Sequence, residues 1–439
     1  MARSGGPPAA SCCPLRCSTA TIYCLAHDDT AHLLRGVLLR LPSLASLVRA
    51  ACTCRAVRRL VACDPDFRRR FRATHPAPLL GLFLDPRSPD IAPAVPSFAP
   101  ARRDDADAAA AILGGDFFLT ALQVAPAPLP PAWRVLDARG GHLLLLNWPE
   151  LTLAVLNPLS RRVEGYFDLD NADILDGDAY EITEARLLCA EEHPSRFRIF
   201  CLVHDASRVQ VLMFADDNKD GSLLQWIAPP EMHAPVDSTW LHNAMQAGDF
   251  IYWFYVNHRF VIILDTKNLR CRVQRVHPSL NLDAFDSYFL DEDEKYIVDE
   301  GITRQLLPPL PYIVFRELGG RNRIGIMYGG IGGNFDVTWV ATELIRFPWR
   351  ALPERYDGNL GLVAVRDGFV YFTSFITGEE NGYTPAWFGL LRMETKEVEM
   401  LFQMTWTEGG NFQPYHMPWP RYLLGDYGAF AGKDDSANA

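Results

Sequence analysis

The chain lacks any apolar run near the roughly 18 residues that a membrane-spanning helix needs; runs such as 143–146 and 250–256 are strand-sized. The first 27 residues carry Gly, Pro, Ser and four Cys but no sustained apolar core, so they do not make a cleavable secretory signal. A cytosolic or nuclear address is expected. Cys-x-x-Cys pairs are missing too. Cys12, Cys13, Cys17 and Cys24, with His27 nearby, lack the paired Cys-x-x-Cys spacing that sets up tetrahedral zinc ligands. Ten cysteines in 439 residues are therefore expected to be reduced thiols without a disulfide framework. Neither a metal nor another cofactor is expected.

Catalytic signatures are also lacking. There is no G-x-S-x-G elbow, no H-E-x-x-H, no phosphate-binding G-K-S/T and no kinase set. Gly329, Gly330, Gly332 and Gly333 lack the third glycine of a dinucleotide fingerprint and no βαβ pattern surrounds them, so they are expected in a loop. The acidic run 291–294 has the character of a solvated loop. His193, His204, His233, His242, His258 and His277 are scattered without ligand spacing and suit strand ends or loops. Trp226, Trp240 and Trp253 are expected to be buried in sheets rather than to stack on a ligand. The expectation is a non-catalytic protein.

What the chain does have is apolar material: 49% hydrophobic and 11% aromatic residues, enough for a globular fold. Its length exceeds one ordinary core, which points to a small module followed by a large, repeat-built domain. The net charge is −11 but unevenly spread. Between residues 28 and 75 stand Arg35, Arg40, Arg49, Arg55, Arg58, Arg59, Arg68, Arg69, Arg70 and Arg72, against Asp28, Asp29, Asp64 and Asp66. A basic segment of this kind fits an acidic protein partner, nucleic acid or a solvated helix face; charge does not choose among them.

The same segment has helical periodicity. Leu33, Leu34, Val37, Leu38 and Leu41 share one face, Pro42 stops that helix and Ser43 caps the next. The second helix carries Leu44, Leu47, Val48, Ala51, Cys54, Val57 and Val61 at the same period. Asp64-Pro65 opens a short third, with Asp as cap, Pro at the first helical position and Arg68 to Arg70 towards its C-terminal end. Prolines 76, 78, 86, 89, 93, 96 and 100 then punctuate a junction holding one strand candidate, 79–84.

Beyond the junction, strand-length apolar runs separated by Gly, Asn, Asp and Pro turns take over. A unit recurs: strand 141–148, strand 153–156, the turn 157–160 and a strand ending near Phe167. Residues 248–256, 260–264, the turn 265–268 and the strand to Val276 repeat it. So do 368–375, 387–393, the turn 394–396 and the strand to Phe402, and more weakly 197–213, the turn 216–220 and the strand to Trp226. Spacings of about fifty residues suit four-stranded propeller blades, about seven between residues 79 and 426; the alternative is an irregular stack of antiparallel sheets. The expected fold is α+β multidomain. A tail (1–27) precedes a three-helix module (28–75), an all-β domain (76–426) and a second tail (427–439), both tails being disordered.

The stretch LLRLPSLASLVRAACTCRAVRRLVACDPDFRRRF, residues 38–71, resembles the F-box of the large plant family that carries an F-box-associated β-domain. The following HPAPLLGLFLD, residues 75–85, resembles that family's joining segment. The likeness is dense over about fifty residues and architectural beyond them. It implies a substrate-receptor subunit of an SCF-type cullin-RING ubiquitin ligase, binding an acidic SKP-type adaptor and through it a cullin. The positions it assigns to the adaptor are Leu33, Leu34, Val37, Leu38, Leu41, Pro42, Leu44, Leu47, Val48, Val57 and Arg58. Independently, an apolar helix seam ringed by arginine suits a groove on an acidic partner.

Two positions depart from the family. Its first helix opens with Leu-Pro and an acidic residue where this chain has Asp29-Thr30, and it places Trp where this chain has Val57. Loss of an aromatic anchor typically costs about 2 kcal/mol at an interface, so a weakened box is expected. Other functions stay open beside this one: an adaptor-independent binding propeller with a degenerate box, a propeller glycosidase or oxidase, and a nucleic-acid role for the arginine-rich helices. An enzyme would need convergent carboxylates or metal ligands, which no grouping in the sequence offers. Nothing in the sequence singles out the β-domain residues that hold a target protein.

Overall fold

The computed structural model describes residues 28–53, 55–85, 95–101, 105–122, 132–169, 181–189, 196–204, 209–227, 245–247, 250–255, 260–275, 312–316, 323–331, 337–346, 359–366, 369–375, 383–392, 395, 397–407, 411–420 and 423. The amino-terminal cysteine group, the tails, the acidic run 291–294, Trp240, His193, His233, His242, His258 and His277 lie outside these residues. The chain divides into two compact units. One runs to Pro78 and resumes at His416; the other comprises Leu79–Cys189 and Ser195–Tyr415. No helix among the described residues is long and apolar enough to cross a membrane.

The first unit is helical: α1 (Asp28–Leu38), α2 (Leu44–Thr53), α3 (Arg55–Cys63) and α4 (Pro65–Thr74). The expected starts are present. Ser43 Oγ accepts from Ser46 N–H at 3.2 Å, and Asp64 Oδ1 accepts from Phe67 N–H at 3.0 Å with Pro65 at the first helical position. Where periodicity indicates one second helix, the structure has two, α2 and α3, so the described residues between 28 and 75 hold four helices instead of three. The apolar period survives the division because Ala51 in α2 and Val57 and Val61 in α3 reach one core from two rods.

The second unit is dominated by antiparallel sheets of three and four strands. It opens with β1 (Leu79–Asp85) and β2 (Ser97–Pro100), followed by α5 (Ala106–Gly114) and a 3-10 turn (Thr120–Leu122). Next come β3 (Trp133–Arg139), β4 (His142–Asn147), β5 (Thr152–Asn157) and β6 (Arg162–Asp168), then β7 (Glu181–Cys189), β8 (Phe197–His204), β9 (Val209–Ala215) and β10 (Asn218–Ile227). The rest are β11 (Met245–Ala247), β12 (Phe250–Tyr255), β13 (Phe260–Asp265), β14 (Arg270–Arg275), β15 (Tyr312–Arg316), β16 (Arg323–Ile331) and β17 (Val337–Arg346). They are followed by β18 (Asn359–Arg366), β19 (Phe369–Phe375), β20 (Tyr383–Arg392), β21 (Val398–Thr407) and β22 (Asn411–His416). Six sheets stand among the described residues, in the orders β2-β1-β22, β3 to β6, β7 to β10, β11 to β14, β15 to β17 and β18 to β21.

Two turns of the repeat read in the sequence, 157–160 and 265–268, share one geometry, and the turn after Asn147 has it too; residues 394 and 396 of a third lie outside the described residues. Asn147 pairs with Thr152, Asn157 with Arg162 and Asp265 with Arg270, so each hairpin loop holds four residues behind a leading Asn or Asp. The last loop residue is left-handed in all three: Leu151 at φ 46°, Arg161 at 56° and Leu269 at 53°. Asn157 Oδ1 accepts from Ser160 N–H at 3.1 Å, and Asp265 Oδ1 from Lys267 and Asn268 N–H at 2.9 and 3.0 Å. Such side chains hold the turn in place of backbone partners.

Three expectations need correction. The expected turn 216–220 is a tighter hairpin, because Ala215 pairs with Asn218 and β10 begins there. Gly329 and Gly330 lie within β16, opposite Trp339 and Thr338, and not in a loop; a paired backbone tolerates glycine when its neighbours hold the register. Helix α5 interrupts a region expected to be free of helix. Its signals were legible, since Asp105 caps it by accepting from Asp107 and Ala108 N–H at 2.9 and 3.0 Å ahead of an alanine run.

Apolar clusters join neighbouring sheets. Leu144, Leu153 and Phe167 pack with Ile199, Leu212 and Phe214, while Phe200 and Val211 pack with Ile251, Trp253 and Ile262. Leu82 and Leu84 of the first strand pack with Tyr371, Phe388 and Leu390 of the last sheet, and with Phe412 of β22.

Candidate functional site

The candidate surface lies on the helical unit. Its core gathers Leu38, Leu44, Leu47, Ala51, Val57, Val61, Phe67 and Phe71 with Leu423, and Leu34, Leu41, Val48, Met417 and Trp419 pack partly buried against it. Of the positions assigned to an adaptor, Leu38, Leu44, Leu47 and Val57 are buried. Leu34, Leu41, Val48 and Arg58 are half-buried, and Leu33, Val37 and Pro42 are exposed. The apolar face of α1 is therefore split. Leu34 and Leu38, four residues apart, face inward; Leu33 and Val37, equally spaced, remain 71% and 62% exposed. Gly36 adjoins them with open space where a Cβ would sit.

This split follows from the size of the unit. Four short helices enclose little volume, so the inner leucines are consumed as core and one outer pair is left over. Electrostatics then fix the frame. Arg35 of α1 pairs with the α4 cap Asp64 at 2.6 Å. Arg68 is buried, not part of a solvated face: its guanidinium donates to the Val61 and Ala62 carbonyls, the open end of α3. Arg69 pairs with Asp66 at 2.6 Å in the open, a pair worth little to stability.

Sequence reasoning missed the carboxy-terminal part of this unit. Residues 417–420 and Leu423, assigned from sequence to the β-domain, belong here. The Met417 N–H donates to the Pro78 carbonyl at 2.8 Å, the Trp419 ring meets Phe71 edge-on at 6.0 Å, and Arg72 lies over that indole at 5.0 Å. Their local signal is weak; the Met-Pro-Trp-Pro stretch offers no period, and only a tertiary partner gives Trp419 its place.

No family model and no curated protein matches the chain. Among solved structures it is similar to a chain of a nidogen/laminin complex, at 10% identity and a TM-score of 0.32, over 76% of this chain and 97% of that one. It is also similar to the dihydro-heme d1 dehydrogenase NirN, at 8% identity and a TM-score of 0.28, over 64% of this chain and 59% of that one. A functionally unknown protein from Desulfotomaculum acetoxidans DSM 771 matches at 10% identity and a TM-score of 0.25, over 63% and 71%. Likenesses this loose carry no statement about what the chain binds.

Proposed function

We propose that the chain is a non-catalytic substrate receptor of an SCF-type ubiquitin ligase, its helical unit an F-box that docks an acidic SKP-type adaptor and its β unit a propeller that holds a target. The observation that carries the docking reading is the exposed pair Leu33 and Val37 on a folded, arginine-rich helical unit. An apolar pair left in water beside cations suits a partner groove with an acidic rim, where apolar contact supplies affinity and charge supplies orientation. Ubiquitin transfer then belongs to the partners, acting by proximity. The propeller reading is supported by β22 lying beside β1 in one sheet, and by the first and last sheets sharing a core, as in a ring that shuts on itself.

Capture of a purified adaptor by the full-length chain tests the docking. Leu33→Asp combined with Val37→Asp should lower capture at least about tenfold, roughly 1.4 kcal/mol, with the melting temperature unchanged. Equal capture by this double variant and the wild type would remove the docking surface. Leu47 is unsuitable for the purpose because its side chain is fully buried. Val57→Trp, which restores the family's aromatic, forces a large ring into a buried position and should destabilise the unit by about 1–3 kcal/mol. An adaptor-independent binding module is the second reading, favoured by the burial of Leu38, Leu44, Leu47 and Val57 as ordinary core.

A further inference from the structure

At one end of the sheet β3 to β6, three side chains of complementary chemistry meet. The Cys189 Sγ, at the end of β7, lies 3.8 Å from His142 Nδ1. The His142 ring, at the start of β4, is fully buried, and its Nε2 lies 3.9 Å from Glu164 Oε1 on β6. Local irregularities deliver them. Val155 pairs with Gly165 but Leu156 pairs with Val163, which leaves Glu164 as the extra residue of a bulge; bulges re-aim side chains and are common beside active sites. Gly140 and Gly141 both turn at positive φ, 55° and 80°. A Cβ on Gly140 would lie 2.7 Å from that of Cys189, so glycine preserves the space next to the thiol.

The direction of proton transfer rests on the tautomer assigned to His142. Placing its hydrogen on Nε2, the nitrogen nearer the Glu164 carboxyl, turns the Nδ1 lone pair to the sulfur. The Arg139 carbonyl, 3.3 Å from the sulfur, accepts a hydrogen bond but cannot take the proton. A buried imidazolium alone would be costly; here Glu164 on one side and the thiolate on the other balance it. Tyr415 faces the thiol and interacts with it electrostatically. Asp137 stands 3.8 Å from both Arg139 Nε and Arg186 Nη1 and accepts from Ala138 and Leu187 N–H at 2.8 and 2.9 Å, while Arg186 pairs with Glu184. Tyr415 donates to the Gly141 carbonyl at 2.8 Å, and burial pushes its phenol pKa up, so it stays neutral. The other cysteines of this unit differ: Cys201 and Cys271 sit in apolar clusters where burial pushes their thiols up, that of Cys271 to about 12.

We propose that Cys189, His142 and Glu164 form a peroxide-reactive thiol centre, a modification site whose chemistry is independent of the docking reading. The thiol proton passes to His142 Nδ1 and the thiolate attacks one peroxide oxygen. An S–O bond forms as the O–O bond breaks. Sulfur is oxidised by two electrons to a sulfenic acid, and the departing hydroxide takes the proton from His142 and leaves as water.

The test exposes the full-length protein to hydrogen peroxide with dimedone as the trap, and quantifies the Cys189, Cys52 and Cys63 peptides by mass spectrometry as a function of pH. An ordinary thiol, with a pKa of about 8.5, is almost wholly protonated near pH 6. Half-buried Cys189 should nonetheless be trapped about tenfold faster there than Cys52 and Cys63, which are exposed on the helices. Its rate should stay nearly flat up to about pH 8, while that of added free cysteine climbs. Glu164→Gln should slow Cys189 about fivefold near pH 6 with an unchanged melting temperature. Trapping of Cys189 no faster than Cys52 and Cys63, or with the steep pH slope of added free cysteine, would overturn the proposal. So would an unaltered rate in Glu164→Gln.

Discussion

Leu33 and Leu47 belong to the same amphipathic stretch and differ completely in what they contribute. Leu47 is fully buried among α1 to α4, so Leu47→Ala leaves a cavity and should cost about 2–5 kcal/mol in denaturant unfolding of the helical unit. Leu33→Ala should change stability by less than about 0.5 kcal/mol, because its side chain already faces water. Asp265 shows the same dependence on position in a turn. Burial by itself would raise its pKa, but hydrogen bonds from the Asn268 backbone and side chain and from Lys267 N–H, together with the Lys267 charge, hold it below the usual carboxylate value. A carboxylate lowered in this way stabilises the fold above its unfolded pKa, about 3.9, and the contribution disappears as pH falls through the folded value. Asp265→Ala should therefore lower the melting temperature at neutral pH, and the difference from wild type should shrink as the pH falls below the ordinary carboxylate range.

Elements were legible where their determinants lie within a few residues. Asp64-Pro65 marked α4, and the repeated turns behind Asn157 and Asp265 marked hairpins whose loops share length and handedness. The helix α5 carried comparable signals in Asp105 and the alanine run, and was overlooked only because its surroundings are strands. The division between α2 and α3 was not legible, since both present apolar residues at one continuous period. Pairing across strands lies beyond local pattern. Gly389 stands opposite Phe372, and a Cβ on it would meet that ring at 2.4 Å. Gly389→Val should thus destabilise the sheet β18 to β21 by about 1–3 kcal/mol, read as a lowered melting temperature, whereas a strand-propensity argument would predict a gain.

On the scale of the molecule, both ends of the chain matter to each unit. Trp419 and Leu423 complete the helical core beside Phe71, and β22 joins β1 in one sheet. Truncation after His416 leaves β22 in place but strips Phe71 of its indole. Limited proteolysis should then cut within residues 28–75 at least about tenfold faster than in the intact chain, while the sheets stay protected.

The sequence by itself determined the caps, the repeated turns, the strand-length runs and the basic amphipathic helices, because each rests on contacts between residues a turn apart. Only the tertiary structure decided which leucines of α1 stay wet, that Trp419 closes the helical core, and that Cys189 meets His142 across 47 residues of sequence. A period fixes the angle at which side chains leave a helix or strand. What covers them is set by chain closure over long loops and by how much volume the remaining core can hold.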